Sequence, residues 1–209
     1  DYTNANTGAD TIKLAADDGN WTVLASTLTT VLGDGVRLAG DLTITGITNE
    51  AAALTDYTTT KTGATKNTLT ADGTWSVAAT DLTTAMADGV SLVGDLTVTA
   101  IATEANVSTT YSTSNTGATN VLLTATDGNW SVAVGALDTD LGNNIKYAGA
   151  LTITGITGTT NEANALTDYT TAKTGATTNK LAASDTNWSM SAANLTAALG
   201  AGVRLAGDL

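Results

Sequence analysis

The sequence contains no cysteine, histidine, proline or phenylalanine. Lack of Cys removes disulfides, thiolate chemistry and structural zinc together. With His missing as well, imidazole bases and Ser-His-Asp triads are excluded. Basic residues are scarce: 8 Lys and Arg face 20 Asp and Glu, for a net charge of −12. Nucleic acid is a poor partner for such a chain, because its phosphates call for Lys/Arg clusters. No apolar run approaches the ~20 residues of a membrane span, and no signal peptide is present.

What the chain has in quantity is threonine, 46 in 209 residues. Hydrophobic content is 42% against 13% charged, too apolar for an acidic disordered tail. One stretch organises the rest. Gly35-Val36-Arg37-Leu38-Ala39-Gly40-Asp41-Leu42-Thr43-Ile44-Thr45-Gly46-Ile47 returns from Gly89 to Ile101, from Asn144 to Ile156, and partly from Gly202 to Leu209. Apolar and polar positions alternate within it, as in a half-buried strand with a break at Gly-Asp.

The tryptophans Trp21, Trp75, Trp130 and Trp188 keep the same beat, at intervals of 54, 55 and 58 residues. Tyr2, Tyr57, Tyr111 and Tyr169 mark it at 55, 54 and 58. The repeats are therefore drawn at 1–55, 56–109, 110–167 and an incomplete 168–209, stacked as one array. The truncated ends, neither with a polar cap, suggest a window cut from a longer array, the alternative expectation being raw ends that stack on neighbouring molecules.

Each copy reads as a strand at Trp, a helix capped at Ser26-Thr27 and closed by Gly35, and the recurring strand. A second short helix follows, capped at Thr48-Asn49 with Glu50 near its positive end, and then a Tyr-Thr-Thr surface loop. Glu104 and Glu162 repeat Glu50. Leu14, Leu38, Leu69, Leu92, Leu123, Tyr147, Leu181 and Leu205 alternate short and long spacings, so each repeat holds two strand-plus-helix halves. The expected architecture is a β-solenoid of parallel strands and short helices, two coils per ~54-residue repeat, with the tryptophans in a column ~10 Å apart. The alternative is a string of small β-sandwich modules, each marginal in size for folding alone. The predicted core comprises the four tryptophans with Leu38, Leu92, Leu205, Ile44, Val98 and Ile153.

Candidate sites are few. Asp18, Asp72, Asp127 and Asp185 precede the tryptophans, and Asp41, Asp95 and Asp208 form a second set. Calcium between stacked carboxylates would relieve their repulsion, while the simpler reading makes them turn residues. No cofactor is expected otherwise. Thr43-Ile44-Thr45, Thr97-Val98-Thr99 and Thr152-Ile153-Thr154 resemble ice-binding strands, on alternate coils only. Asn20, Asn106, Asn129, Asn187 and Asn194 open Asn-x-Ser/Thr patterns that would accept glycans. Ser/Lys or paired-carboxylate catalysis exists on paper, but each candidate recurs once per repeat, so no enzyme is expected.

Asp95-Leu96-Thr97-Val98-Thr99 with Thr103-Glu104-Ala105-Asn106, and Asn161-Glu162-Ala163-Asn164-Ala165-Leu166, resemble Thr/Ala-rich tandem repeats of giant bacterial surface proteins, of adhesin, surface-layer or filament type. The resemblance implies an exported, extracellular or cell-surface role without catalytic residues, in a fibre, stalk or coat whose partners are other repeats or copies. The competing expectation is an adhesive or ligand-binding solenoid for glycan, calcium or ice.

Overall fold

The computed structural model describes residues 2–104 and 106–209, so Ala105 of the Glu104 motif lies outside the described residues. The chain runs α1 (Asn4–Thr7), β1 (Ile12–Leu24), α2 (Ala25–Gly33), β2 (Val36–Ile47), α3 (Glu50–Asp56), α4 (Thr59–Thr62), β3 (Lys66–Ala71), β4 (Trp75–Ala78), α5 (Ala79–Ala87), β5 (Val90–Val93) and β6 (Asp95–Ile101). It continues through α6 (Val107–Thr110), α7 (Thr113–Thr116), β7 (Asn120–Ala133), α8 (Val134–Gly142), β8 (Ile145–Ile156), α9 (Thr159–Asp168), α10 (Thr171–Thr174), β9 (Thr178–Asn187), α11 (Ala192–Gly200) and β10 (Val203–Asp208).

This is an α/β fold, not the expected β-solenoid and not a row of β-sandwiches. Its strands form a four-stranded sheet of order β1-β2-β3-β5 and a six-stranded sheet of order β10-β9-β8-β7-β6-β4, with parallel registers between neighbours. The sandwich alternative fails because connections between paired strands are helical crossovers, which parallel neighbours require. The solenoid fails on register. Within a repeat the marker leucines pair directly, Leu14 with Leu38 and Leu69 with Leu92. Between repeats Leu69 pairs instead with Ile44, six positions beyond Leu38. Leu181 pairs likewise with Ile153, six beyond Tyr147. At ~3.3 Å per residue each repeat slides ~20 Å along the strand direction, so equivalent residues do not lie on one another as closed coils demand. The tryptophan column goes with it: Trp21 sits opposite Leu42, whose other neighbour is Asn67 rather than Trp75.

The chain divides into two compact units, Asp1–Thr97 with Ser114–Asn120, and Val98–Thr113 with Val121–Leu209. In the first, Val36, Leu38, Leu42, Ile44, Leu69 and Leu92 are buried with Leu28 of α2 and Leu82 of α5. In the second, Val121, Leu123, Leu151, Ile153 and Leu181 are buried with Leu137 of α8. Complete burial of one such side chain is worth about 1.5–3 kcal/mol. Helix α2 follows its sequence pattern, Leu28, Val31 and Leu32 falling on one side, and Gly35 takes φ +76° just beyond its end. Its start differs from expectation. The helix begins at Ala25 behind Leu24, without a side-chain cap, and Ser26 and Thr27 fall in the first turn. Only the copy at α11 uses a serine among these nine-residue helices: Ser191 accepts from the Asn194 amide at 3.2 Å.

Candidate interaction face

Period-two alternation gives each sheet two unlike faces. The apolar set is buried, or half-buried on the β1 edge, and the alternate set apart from buried Ser91 is open or half-exposed, as in β2, where Arg37, Ala39, Thr43 and Thr45 are half-exposed between buried Val36, Leu38, Leu42 and Ile44. In the first unit register brings Thr22, Thr43, Thr68 and Ser91 into one row across β1, β2, β3 and β5. Strand spacing sets these hydroxyls ~4.8 Å apart. The row is denser than the Thr-x-Thr motifs suggest, because Thr22, Thr68 and Ser91 fill strands that lack the motif. The corresponding row of the second unit is Ser131, Thr152, Lys180 and Arg204. Lys13 and Arg37 also stand opposite each other on this face. Both arginines fold back toward helix ends, Arg37 Nη1 donating to Leu32 O at 3.2 Å and Arg204 Nη1 to Leu199 O at 3.1 Å.

The Gly-Asp break is where the two strands of a repeat fall out of step. β1 has four residues between Ala15 and Asn20 where β2 has Gly40 alone. A Cβ on Gly40 would lie 2.1 Å from the Gly19 carbonyl oxygen, and its φ is +104°, so only glycine fits. Gly149 meets Gly128, and Gly207 meets Thr186, in the same way. The bulge turns one carbonyl toward the indole: Trp21, Trp75, Trp130 and Trp188 donate Nε1–H to Ala39, Val93, Ala148 and Ala206 at 2.9, 3.0, 2.9 and 2.9 Å. Trp75, Trp130 and Trp188 are buried, and Trp21 is half-buried. Of the other predicted core residues Leu38, Leu92, Ile44, Val98 and Ile153 are buried, and Leu205 is half-exposed.

The aspartates occupy the turns. Asp18, Asp127 and Asp185 each accept the backbone N–H of Asn20, Asn129 and Asn187 at 3.0, 3.0 and 3.1 Å. Those asparagines donate Nδ2–H back to the aspartate carbonyls, which ties up the same nitrogens the glycan patterns would offer. Asp72 is exposed beside Gly73; Asp95 accepts from Asn120 Nδ2 at 2.7 Å; Asp41 and Asp208 are exposed on the sheets. Among the described residues no three His, Cys, Asp or Glu side chains gather as a metal-holding group.

Three polar devices were not anticipated. Tyr57, Tyr111 and Tyr169 are buried, and the expected surface loop after each is one turn of helix, α4, α7 and α10. Tyr57 OH donates to Ala25 O at 3.1 Å, while Tyr169 OH donates to Asp138 at 2.6 Å. Below them a buried clasp forms: Asn67 Nδ2 donates to Tyr57 O at 2.5 Å and its Oδ1 accepts from Thr62 Oγ1 at 3.1 Å. Asn179, Tyr169 and Thr174 repeat the clasp. The glutamates, expected only to serve helix termini, reach the backbone amide just after the next repeat's tryptophan. Glu50, Glu104 and Glu162 accept the amides of Ser76, Ser131 and Ser189 at 3.2, 2.9 and 3.3 Å.

The third device joins the end of the second repeat to the third. Tyr147 stands where the other copies have Leu38, Leu92 and Leu205, and Asp140 where they have Val31, Ala85 and Ala198. Ser108 stands where Leu54 and Leu166 are buried. The three substitutions meet. Tyr147 OH donates a short hydrogen bond to buried Asp140, Ser108 hydrogen-bonds the same hydroxyl, and Trp130 packs edge-on against the Tyr147 ring at 4.9 Å. Burial, then the Asp140 bond and its charge, push the Tyr147 phenol well above its ordinary range, against the opposing effect of Ser108. Burial and Asp138 do the same to Tyr169.

Each unit also has a polar groove beside its buried tyrosine. The one of about 240 Å³ is lined by Asp138, Asn161, Asn164, Asp168 and Tyr169, and its counterpart of about 260 Å³ by Thr29, Asn49, Asp56 and Tyr57. Their carboxylates already have partners, Asp168 with Lys173 and Asp56 with Lys61 at 3.6 Å, and Asp138 with Tyr169. No helix among the described residues is long and apolar enough to cross a membrane. No family description, curated protein or solved structure matches this chain.

Proposed function

We propose that the chain is a structural segment of a large extracellular or cell-surface protein of bacterial type, in which repeats associate to build a fibre, stalk or coat. The observation that carries this reading is the one-sided sheet that every repeat rebuilds: an apolar face sealed by its own helices, and a hydroxyl- and lysine-bearing face left open. A face renewed at every repeat suits association along an extended surface better than a single reaction centre. Electron microscopy of the native material tests it. Filaments or a lattice support the reading, and dispersed particles at high concentration overturn it.

A second reading rests on the row Thr22, Thr43 and Thr68, whose ~4.8 Å pitch suits an ordered hydration layer or a hydroxylated ligand such as a glycan; Ser91 at the end of the row is buried. Thermal hysteresis in freezing measurements would favour the ice-binding form of this reading. A rise in melting temperature with added calcium would favour the metal-binding form. A purely structural segment gives neither.

A further inference from the structure

The first repeat exposes side chains that its copies bury. Tyr2 is 65% exposed, whereas its counterparts Tyr57 and Tyr169 are 7% and 5% exposed. Thr7 and Ala9 are exposed, and Ile12, Leu14 and Trp21 are half-exposed. Thr62, Ala64, Asn67, Leu69 and Trp75, their counterparts in the second repeat, are buried. Loss of the asparagine clasp is not the cause: the third repeat has Val121 in place of Asn67 and still buries Thr116.

The glycines show what covers the other copies. A Cβ on Gly63, Gly117 or Gly175 would come within 2.8, 2.8 or 3.0 Å of the preceding repeat's strand, at Arg37, Leu92 and Lys146. A Cβ on Gly8 would meet nothing within 4 Å. Strand β10 has the matching exposure. Leu209 is 71% exposed where Leu42 and Leu151 are 1% exposed, and Leu205 is half-exposed where Leu38 and Leu92 are buried. Beside it in α11, Ala192 occupies the position of Ala25, whose carbonyl accepts from the Tyr57 hydroxyl. Each exposed set is the kind of surface that the other covers at two junctions inside the molecule, β2 against β3 and β8 against β9.

We propose that α1 and the start of β1 of one copy dock on β10 and α11 of a second copy, in the register of those two junctions. Asp208 and Leu209 then stand opposite Thr11 and Ile12, Gly8 lies against Arg204, and Tyr2 reaches the Ala192 carbonyl. The surfaces differ, so the contact is heterologous, and a docked copy still offers its other surface to a third. The pairing rests on the self-association reading above and names the surfaces it uses. It is apolar rather than ionic. Asp10 stands where Thr65 and Thr177 do, close to Asp208 in the docked register, and each copy carries a net charge of −12. Salt should therefore strengthen the contact by screening.

Sedimentation velocity tests the pairing with one variant per surface. Gly8→Asn supplies a residue that tolerates φ +69° in a free copy, but sets a side chain where the second copy's Arg204 must lie. Leu209→Asp charges the other surface at a side chain that is already exposed. The wild type should associate as its concentration rises, more strongly in about 0.5 M salt than in about 0.02 M. Each variant alone should associate about tenfold more weakly, or less. An equal mixture should form dimers that grow no further, because each variant keeps one intact surface and the two intact surfaces are the matching pair. Thermal melts equal to the wild type's show that the folds are intact. Should Gly8→Asn melt lower, Tyr2→Ala removes the same surface without altering the backbone. A variant that associates as the wild type does, or a mixture that stays monomeric or grows past dimers, overturns the pairing and leaves the structural reading standing. A wild type that stays monomeric at every concentration, or that salt dissociates, overturns the pairing too, whereas the structural reading itself answers to the micrographs.

Discussion

Three residues, Ser108 at the end of the second repeat and Asp140 and Tyr147 in the third, depart together from the apolar consensus of the other copies. Tyr147, Asp140 and Ser108 replace positions that are Leu38, Val31 and Leu54 in the first repeat. A buried hydrogen-bonded set of this kind adds little net stability but is costly to break by halves. Tyr147→Phe strips Asp140 of its donor and should destabilise the protein by about 1–3 kcal/mol in urea unfolding. The triple change Ser108→Leu/Asp140→Val/Tyr147→Leu restores the apolar version and should be neutral or stabilising. A triple variant weaker than Tyr147→Phe would contradict this account. The same phenols give a pH dependence. Folding holds the Tyr147 and Tyr169 protons above the ordinary phenol range, so their contribution is intact below the unfolded value of about 10. Above that pH the unfolded chain releases protons the folded chain retains, and stability should fall as pH rises. Unfolding curves collected on both sides of that value check the sign.

At the scale of elements, the bulge makes the sharpest demand on sequence. Gly40→Ala places a methyl group against the Gly19 carbonyl at 2.1 Å, in a backbone region side chains avoid. It should cost about 3 kcal/mol or more. Gly33→Ala, in the last turn of α2 with open space around it, should instead stabilise by about 0.5–1 kcal/mol. Equal effects in thermal melts would refute the distinction. Much at this scale was legible in the sequence. Period-two alternation from Val36 to Ile47 marks the strand and its buried side, Leu28, Val31 and Leu32 mark a helix, and Gly35 marks its end. Asx turns at Asp18 and Asp127 follow from Asp-Gly. The Tyr57 segment misled because Thr, Lys and Gly make a loop-like composition, whereas burial of Tyr57 and Thr62 depends on Asn67, a partner that local reading does not single out. Glu50 shows the same limit: its partner, the Ser76 amide, lies 26 residues away.

For the molecule as a whole, repeat length was readable and register was not. Intervals of 54 and 55 residues say how often a strand returns, but not which neighbour it meets. Leu69 satisfies a buried row equally beside Leu38 or beside Ile44, and it is the segment from Thr65, whose amide bonds Gly40 O at 2.8 Å, that seats it beside the latter. The interaction face was half visible: Thr43 and Thr45 announce themselves as Thr-x-Thr, while Lys146 and Lys180 join the same face only once the strands are aligned. Charge also acts on the whole chain. With a net charge of −12, mutual repulsion opposes compaction, and raising salt from low to about 0.15 M should lift the melting temperature by a few degrees. A fall on adding salt would mean that attractive pairs outweigh the excess negative charge.

The indole bonds at the bulges give each copy its own optical reporter. Every repeat contributes one such fluorophore, fixed to a carbonyl eighteen residues downstream and shielded to a different degree, with Trp21 the least sheltered. Replacing all but one by phenylalanine, in turn, would let emission colour and quencher access follow the loosening of successive segments without attached dyes.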